Sequence, residues 1–163
     1  MSGNQTNFEA VKEFCTQFEQ PTPSELQKNA ITENSKLVNF RLSLIDEEVK
    51  ELHQAVNDNN MTDVIDALDD ILYVVYGMGV SLGINLDEAF RIVHESNMTK
   101  LCRTEQEAIE TIAHYKTLPD FMNIKVNYRP SKDGKYYIIY NEATGKILKS
   151  KYYIPANFSK MMQ

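Results

Sequence analysis

The chain has 163 residues, of which 42% are hydrophobic and 25% charged, enough for one domain with a real core and a small appendage but too few for two full-sized domains. Its formal net charge of −6 weighs against a broad phosphate-backbone footprint, so no nucleic-acid partner is expected. The longest apolar run, Ile71 to Ile84, is shorter than the ~20 residues of a membrane span, so no membrane association is expected either. Cys15 and Cys102 stand outside any Cys-x-x-Cys arrangement, with no apolar leader before them; inert packing in a reducing, cytoplasmic compartment is expected.

In chain order, Phe8, Val11, Phe14 and Phe18 recur at helical spacing, and Thr6 with Glu9 has the form of a capping box. Pro21 and Pro23 then break the helix. A long second helix is predicted from roughly Thr32 to Asn57, with Leu37, Phe40, Leu44, Glu48, Leu52 and Ala55 near one stripe. Asn57 to Asn60 is a dense turn signal, after which Thr62 is the predicted N-cap of a third helix. Helices two and three should form an antiparallel hairpin. The third is apolar on almost every side after Asp70, as in the middle of a bundle, and Gly83 can end it. So apolar a helix implies an obligate homo-oligomer, at least a dimer. Asn85 caps a fourth helix that runs to about Lys100, and Thr104 with Glu107 opens a fifth that stops before Pro119.

Past Asn123 the composition shifts toward strand. Tyr136 to Tyr140 and Lys146 to Leu148, with a turn at Asn141 to Gly145, read as a β-hairpin. It serves either as a lid or base-stacking platform or, more plainly, as a sheet packed on the helices. The expected fold is therefore all-α, a helical hairpin bundle over residues 1–118 with a C-terminal β-hairpin extension over 119–163.

The chemistry is carried by carboxylates. Glu47, Glu48 and Glu51 fall within little more than one turn of the second helix; Asp63, Asp66 and Asp70 share one face of the third, with Asp69 rotated away. If the hairpin turns near Asn60, Glu51 stands level with Asp69 or Asp70 and the two acidic faces meet. Converging carboxylates repel unless a hard cation neutralises them, and Mg²⁺, with Mn²⁺ as a substitute, is the natural candidate. Because Mg²⁺ keeps waters and binds phosphates, such a site points to phosphate chemistry. The plain alternative is that the acids line solvated helix faces. A calcium loop starting at Asp58 fails because Asp63 stands where the turn needs Gly. His53, His94 and His114 lack metal-ligand spacing.

Leu44-Ile45-Asp46-Glu47-Glu48-Val49-Lys50-Glu51-Leu52 resembles the EExxE motif of the MazG and phosphoribosyl-ATP pyrophosphohydrolase superfamily, and Asp66 to Tyr73 resembles its second metal-binding helix. His94 to Lys100 is similar to its Asn-x-x-Lys or Arg element, and the resemblance covers roughly residues 30 to 103. It implies an all-α fold that dimerises into a four-helix bundle, and Mg²⁺-dependent cleavage of a nucleoside triphosphate to monophosphate and pyrophosphate. By the same resemblance Glu48, Glu51 and Asp70 are metal ligands, Glu47 is a ligand or the base for the attacking water, Asn97 touches the nucleotide and Lys100 a phosphate. The family pattern has Glu where this chain has Ala67; Asp66 is the expected replacement, with Asp63 or Asp69 as alternatives. Phosphoribosyl-ATP hydrolysis and a non-catalytic helical scaffold are the competing readings. The state could be a dimer or a tetramer.

Overall fold

The computed structural model describes residues 5–163, which form six helices and one two-stranded antiparallel sheet. The chain divides into two compact units, one of residues 1–90 with 158–163 and the other of residues 91–157.

In the first unit, α1 (Asn7–Gln17) opens on the predicted capping box, with Thr6 Oγ1 accepting from Glu9 N and Glu9 Oε2 accepting from Thr6 N. Val11 and Cys15 are buried against Val80, flanked by Phe8 and Tyr76. The predicted helix from Thr32 is two helices, α2 (Ala30–Glu33) and α3 (Ser35–Asn57). They are separated at Asn34, whose backbone (φ −130°, ψ 46°) leaves the helical region. Asn has a weak intrinsic preference for helix, so the break falls at a residue little committed to it. The next helix, α4 (Met61–Leu82), is capped by Asn60 rather than Thr62: the Asn60 side-chain oxygen accepts from Thr62 N at 3.1 Å and Asp63 N at 3.4 Å. Asn59, at φ 53°, supplies the left-handed step that folds α4 back along α3.

Gln20 ties the unit together behind this hairpin. Its side-chain oxygen accepts from Arg41 Nη2 at 2.9 Å and from Cys15 Sγ at 3.4 Å. Arg41 is buried, and Gly77 leaves room for its guanidinium, since a Cβ there would meet Nη1 at 3.0 Å. At the far end of α4, Gly83 takes φ 69° and caps the helix as predicted. Beyond it Asn85 Oδ1 accepts from Glu88 N and starts α5 (Leu86–Met98). That helix ends two residues short of the expected Lys100.

In the second unit α6 (Glu105–Tyr115) is capped by Thr104, which accepts from Glu107 N. Glu107 reaches back to Arg103 N instead of Thr104 N, so only half of the predicted box forms. The hairpin exists but pairs differently from expectation. Strand β1 (Val126–Pro130) runs antiparallel to β2 (Tyr137–Asn141), and residues 146–148 make only a bridge through Ile147 to Tyr140. The tight turn at Ser131 to Gly134 joins the strands, with Gly134 at φ 71°. One face of the sheet packs on α6: Ile139, Cys102 and Ala108 are fully buried beside Tyr115, Tyr128 and Tyr137. The compact unit thus takes α6 with the strands, whereas composition placed a boundary at 118/119. Both cysteines are free and buried.

The last segment of this unit has no regular structure and is fastened by hydroxyls projecting from α5, α6 and the turn after α5. Tyr115 OH donates to Lys149 O and accepts from Lys149 N, Thr111 Oγ1 accepts from Lys151 N, and Thr99 Oγ1 accepts from Ile154 N. Ser96 Oγ donates to Ile154 O at 2.8 Å.

Candidate active site

Helix α3 carries Glu47, Glu48 and Glu51 and the antiparallel α4 carries Asp66 and Asp70, so the turn at Asn57 to Asn60 brings the two acidic runs side by side. Glu48 is half-buried and the other four are exposed. Burial raises the Glu48 carboxyl above its ordinary value of 4.5, and the negative charges of Glu51, Asp70, Glu47 and Asp66, in that order, raise it further. Glu48 is thus the point at which both helices' acids act on one group.

Asp69 is absent from that set. It lines a small cavity of about 210 Å³ with Asn7, Val11, Leu72 and Tyr73, on the α1 side of α4. The ~100° between successive helical residues separates it from Asp70. Asp63 is likewise absent from the charges acting on Glu48. Ala67, standing where the family pattern has Glu, is buried. A carboxylate at that position would face inward, whereas Asp66, one residue away, is exposed on α4 and is among the charges acting on Glu48.

Among the described residues, no three His, Cys, Asp or Glu side chains close into a ready-made metal shell. The donor chemistry nevertheless fits a hard divalent cation. The available atoms are all carboxylate oxygens, mutually repelling, and an open set suits an ion that retains waters and takes oxygens from phosphate.

Asn97 and Lys100 belong to the second unit, Asn97 in the last turn of α5 and Lys100 in the turn that follows it, where Lys100 Nζ donates to Asn97 Oδ1 at 2.7 Å. The end of α5 therefore presents an amide and an ammonium together, a pairing suited to a polar anion. The histidines converge with no other potential ligands among the described residues. Sequence reasoning missed the aromatic and hydroxyl contacts of the C-terminal segment, because they join residues 34 to 58 positions apart.

A helical hairpin bearing opposed carboxylates, five of them acting within one electrostatic neighbourhood, defines the MazG-like, all-α class of nucleotide pyrophosphatases. The phosphoribosyl-ATP pyrophosphohydrolase family profile matches residues 11–97, and the chain belongs to that family. It is also 36% identical to an uncharacterized protein of Acanthamoeba polyphaga mimivirus, over 97% of this chain and 96% of that relative. The family match contains all five acids and Asn97 and ends before Lys100 and the hairpin; the viral relative extends through most of the remainder.

Proposed function

We propose that this protein is a Mg²⁺-dependent nucleoside triphosphate pyrophosphohydrolase, releasing a nucleoside monophosphate and pyrophosphate. The observation that carries this reading is the convergence of Glu47, Glu51, Asp66 and Asp70 on the half-buried Glu48. Glu48, Glu51, Asp66 and Asp70 would hold the cation, which when bound supplies charge neutralisation for the phosphate chain and acidifies a water. Glu47, exposed on the same run of α3, accepts the proton of the attacking water or adds a further oxygen ligand. Asn97 contacts the nucleotide and Lys100 a phosphate. The two buried, unpaired thiols suit a cytoplasmic setting.

A panel of nucleoside triphosphates and phosphoribosyl-ATP, assayed with Mg²⁺ for pyrophosphate release, tests the reading. Cleavage of free triphosphates supports it. Cleavage of phosphoribosyl-ATP alone turns it into the biosynthetic activity named by the family profile, and no pyrophosphate from any substrate leaves a helical scaffold.

The choice of Asp66 over Asp69 makes a sharper expectation. Asp66→Asn should raise the Mg²⁺ concentration needed for half-maximal pyrophosphate release by about tenfold or more, the usual scale for loss of one charged ligand contact. Asp69→Asn, altering a residue on the α1 side, should leave that titration nearly unchanged. A dead Asp69 variant beside a fully active Asp66 variant would show the assignment to be wrong.

The working form is proposed to be a homo-oligomer, a dimer or tetramer. Ile65, Leu68 and Leu72 form an i, i+3, i+7 stripe on α4 and are 58%, 47% and 52% exposed; Leu42, Val49 and Val56 form a heptad stripe on α3. Apolar stripes of this length on an otherwise acidic unit match a surface that a second copy covers. Sedimentation at micromolar concentration should return a dimer or larger species, and a stable monomer would count against it.

A further inference from the structure

We propose that the outward face of the β1–β2 sheet binds a short segment of single-stranded nucleic acid. The chain's net charge conceals a division. The first unit carries six Lys and Arg against sixteen Asp and Glu, whereas the second carries eleven against seven. Between Lys125 and Lys151 the balance is seven to two, and six of the nine tyrosines lie between Tyr128 and Tyr153. A charge average that excludes a duplex footprint for the whole chain leaves this region open to a polyanion.

The register puts specific residues on that face. Tyr128, Ile139, Tyr137 and Leu148 turn inward to the core against α6, so their neighbours Asn127, Arg129, Ile138 and Tyr140 turn outward. Ile147, bridged to Tyr140, lies on the same side and is 49% exposed. The Arg129 guanidinium sits over the Tyr140 ring at 5.1 Å, and a short way along the chain Lys149 Nζ sits over Tyr153 at 4.4 Å. Arg129, Lys132, Lys146 and Lys149 have no ion-pair partner among the described residues, so their charge is not spent within the fold.

A cation held against an aromatic ring offers two things at one spot: a ring on which a base stacks and a charge that meets the adjacent phosphate. Single-stranded nucleic acid supplies both, repeating at each nucleotide, and an extended sheet face lined with aromatic and basic residues is the form of surface that takes it. An acidic protein would use the cations and leave the Tyr140 ring without a role. No base-specific donor or acceptor pattern is evident on the face, so recognition is of the strand and not of its sequence.

The test uses the full-length protein and fluorescein-labelled oligothymidylate and oligouridylate of about 12 nucleotides, a length within the range that such surfaces occupy. Anisotropy at low salt should show saturable binding, with a Kd on the order of 10 µM that weakens steeply with salt. Tyr140→Ala should weaken binding about tenfold, the scale of one lost base stack. Tyr140→Phe, which keeps the ring and preserves the sheet, should bind as the wild type does. Lys149→Gln should flatten the slope of log Kd against log salt by about 0.7. Preference for either the ribose or the deoxyribose strand supports the proposal and identifies the sugar that is read. Absence of saturable binding overturns it. So does Tyr140→Ala binding as tightly as the wild type with its circular dichroism unchanged, because the surface would then be a purely electrostatic site for acidic proteins.

Discussion

Glu48→Gln and Asp70→Asn should each lower the rate of pyrophosphate release by about a thousandfold or more, with helix content unchanged. Both replacements are nearly isosteric, so packing is preserved, and both remove one negative charge from the cation's donor set. About 4 kcal/mol of lost transition-state stabilisation, the scale expected when a charged ligand is removed, corresponds to that factor. Full turnover by both variants in saturating Mg²⁺ would sink the site.

The same substitution at Glu48 has a stability counterpart of opposite sign in chelator. The Glu48 carboxyl is raised in the folded chain by burial and by four neighbouring carboxylates, so the fold holds its proton more tightly than the unfolded chain does. Its contribution is fully favourable below the unfolded value near 4.5 and is lost as pH rises through the raised folded value. At neutral pH the wild type therefore carries an uncompensated charge that Glu48→Gln removes. The variant should melt higher than the wild type in chelator at pH 7, and the difference should shrink toward pH 4. Equal melting temperatures at both pH values would contradict the electrostatic account.

Gly83→Ala should be among the most destabilising single changes in the first unit, costing about 3 kcal/mol or more. Two effects combine. Gly83 sits at φ 69°, where a side chain costs roughly 1 kcal/mol, and an added Cβ would lie 2.1 Å from Glu25 O and 2.6 Å from Glu25 C. The obstruction is backbone, which cannot rotate aside, and the same stretch is pinned by Gln27 N donating to Leu82 O at 2.9 Å. Relief of the clash thus requires separating the loop after Pro23 from the end of α4. Gly134→Ala is the control: its φ is 71°, yet nothing stands within 4 Å of the added carbon. Urea titration of both variants should give a loss for Gly83→Ala several times that for Gly134→Ala. Equal losses would show that conformation alone, without the Glu25 contact, sets the cost.

Much of this architecture was readable because its causes are local. The capping box at Thr6 and Glu9 and the Gly83 stop involve residues within one or two turns, and each formed as the spacing required. Errors fell where a neighbour decided between equivalent local options. Asn60 rather than Thr62 captured the α4 cap because both carry a short oxygen and the turn geometry favours the earlier one. The true partner of Tyr137–Asn141 escaped because Val126–Pro130 alternates Val, Asn, Tyr, Arg and Pro, with too little apolar content to advertise a strand. The signal for it is Asp133-Gly134 between them, a turn dipeptide that competes with the later and denser turn signal of Asn141 to Gly145. At the site, the acids were legible by spacing, but the special position of Glu48 depends on partial burial created by packing, and no spacing rule supplies that.

The hydroxyl fastening of the C-terminal segment leaves three backbone amides, those of Lys149, Lys151 and Ile154, protected by side chains of α6 and of the turn after α5 instead of by a neighbouring strand. A sheet ladder shares its hydrogen bonds among many residues and opens as a block, whereas single hydroxyls release one amide at a time. In solvent deuterium this segment would exchange by small independent openings, ahead of the Ile139 core beneath it. The amides of the chain's last stretch before the acidic unit resumes should therefore show protection that varies from one residue to the next, without a shared opening rate.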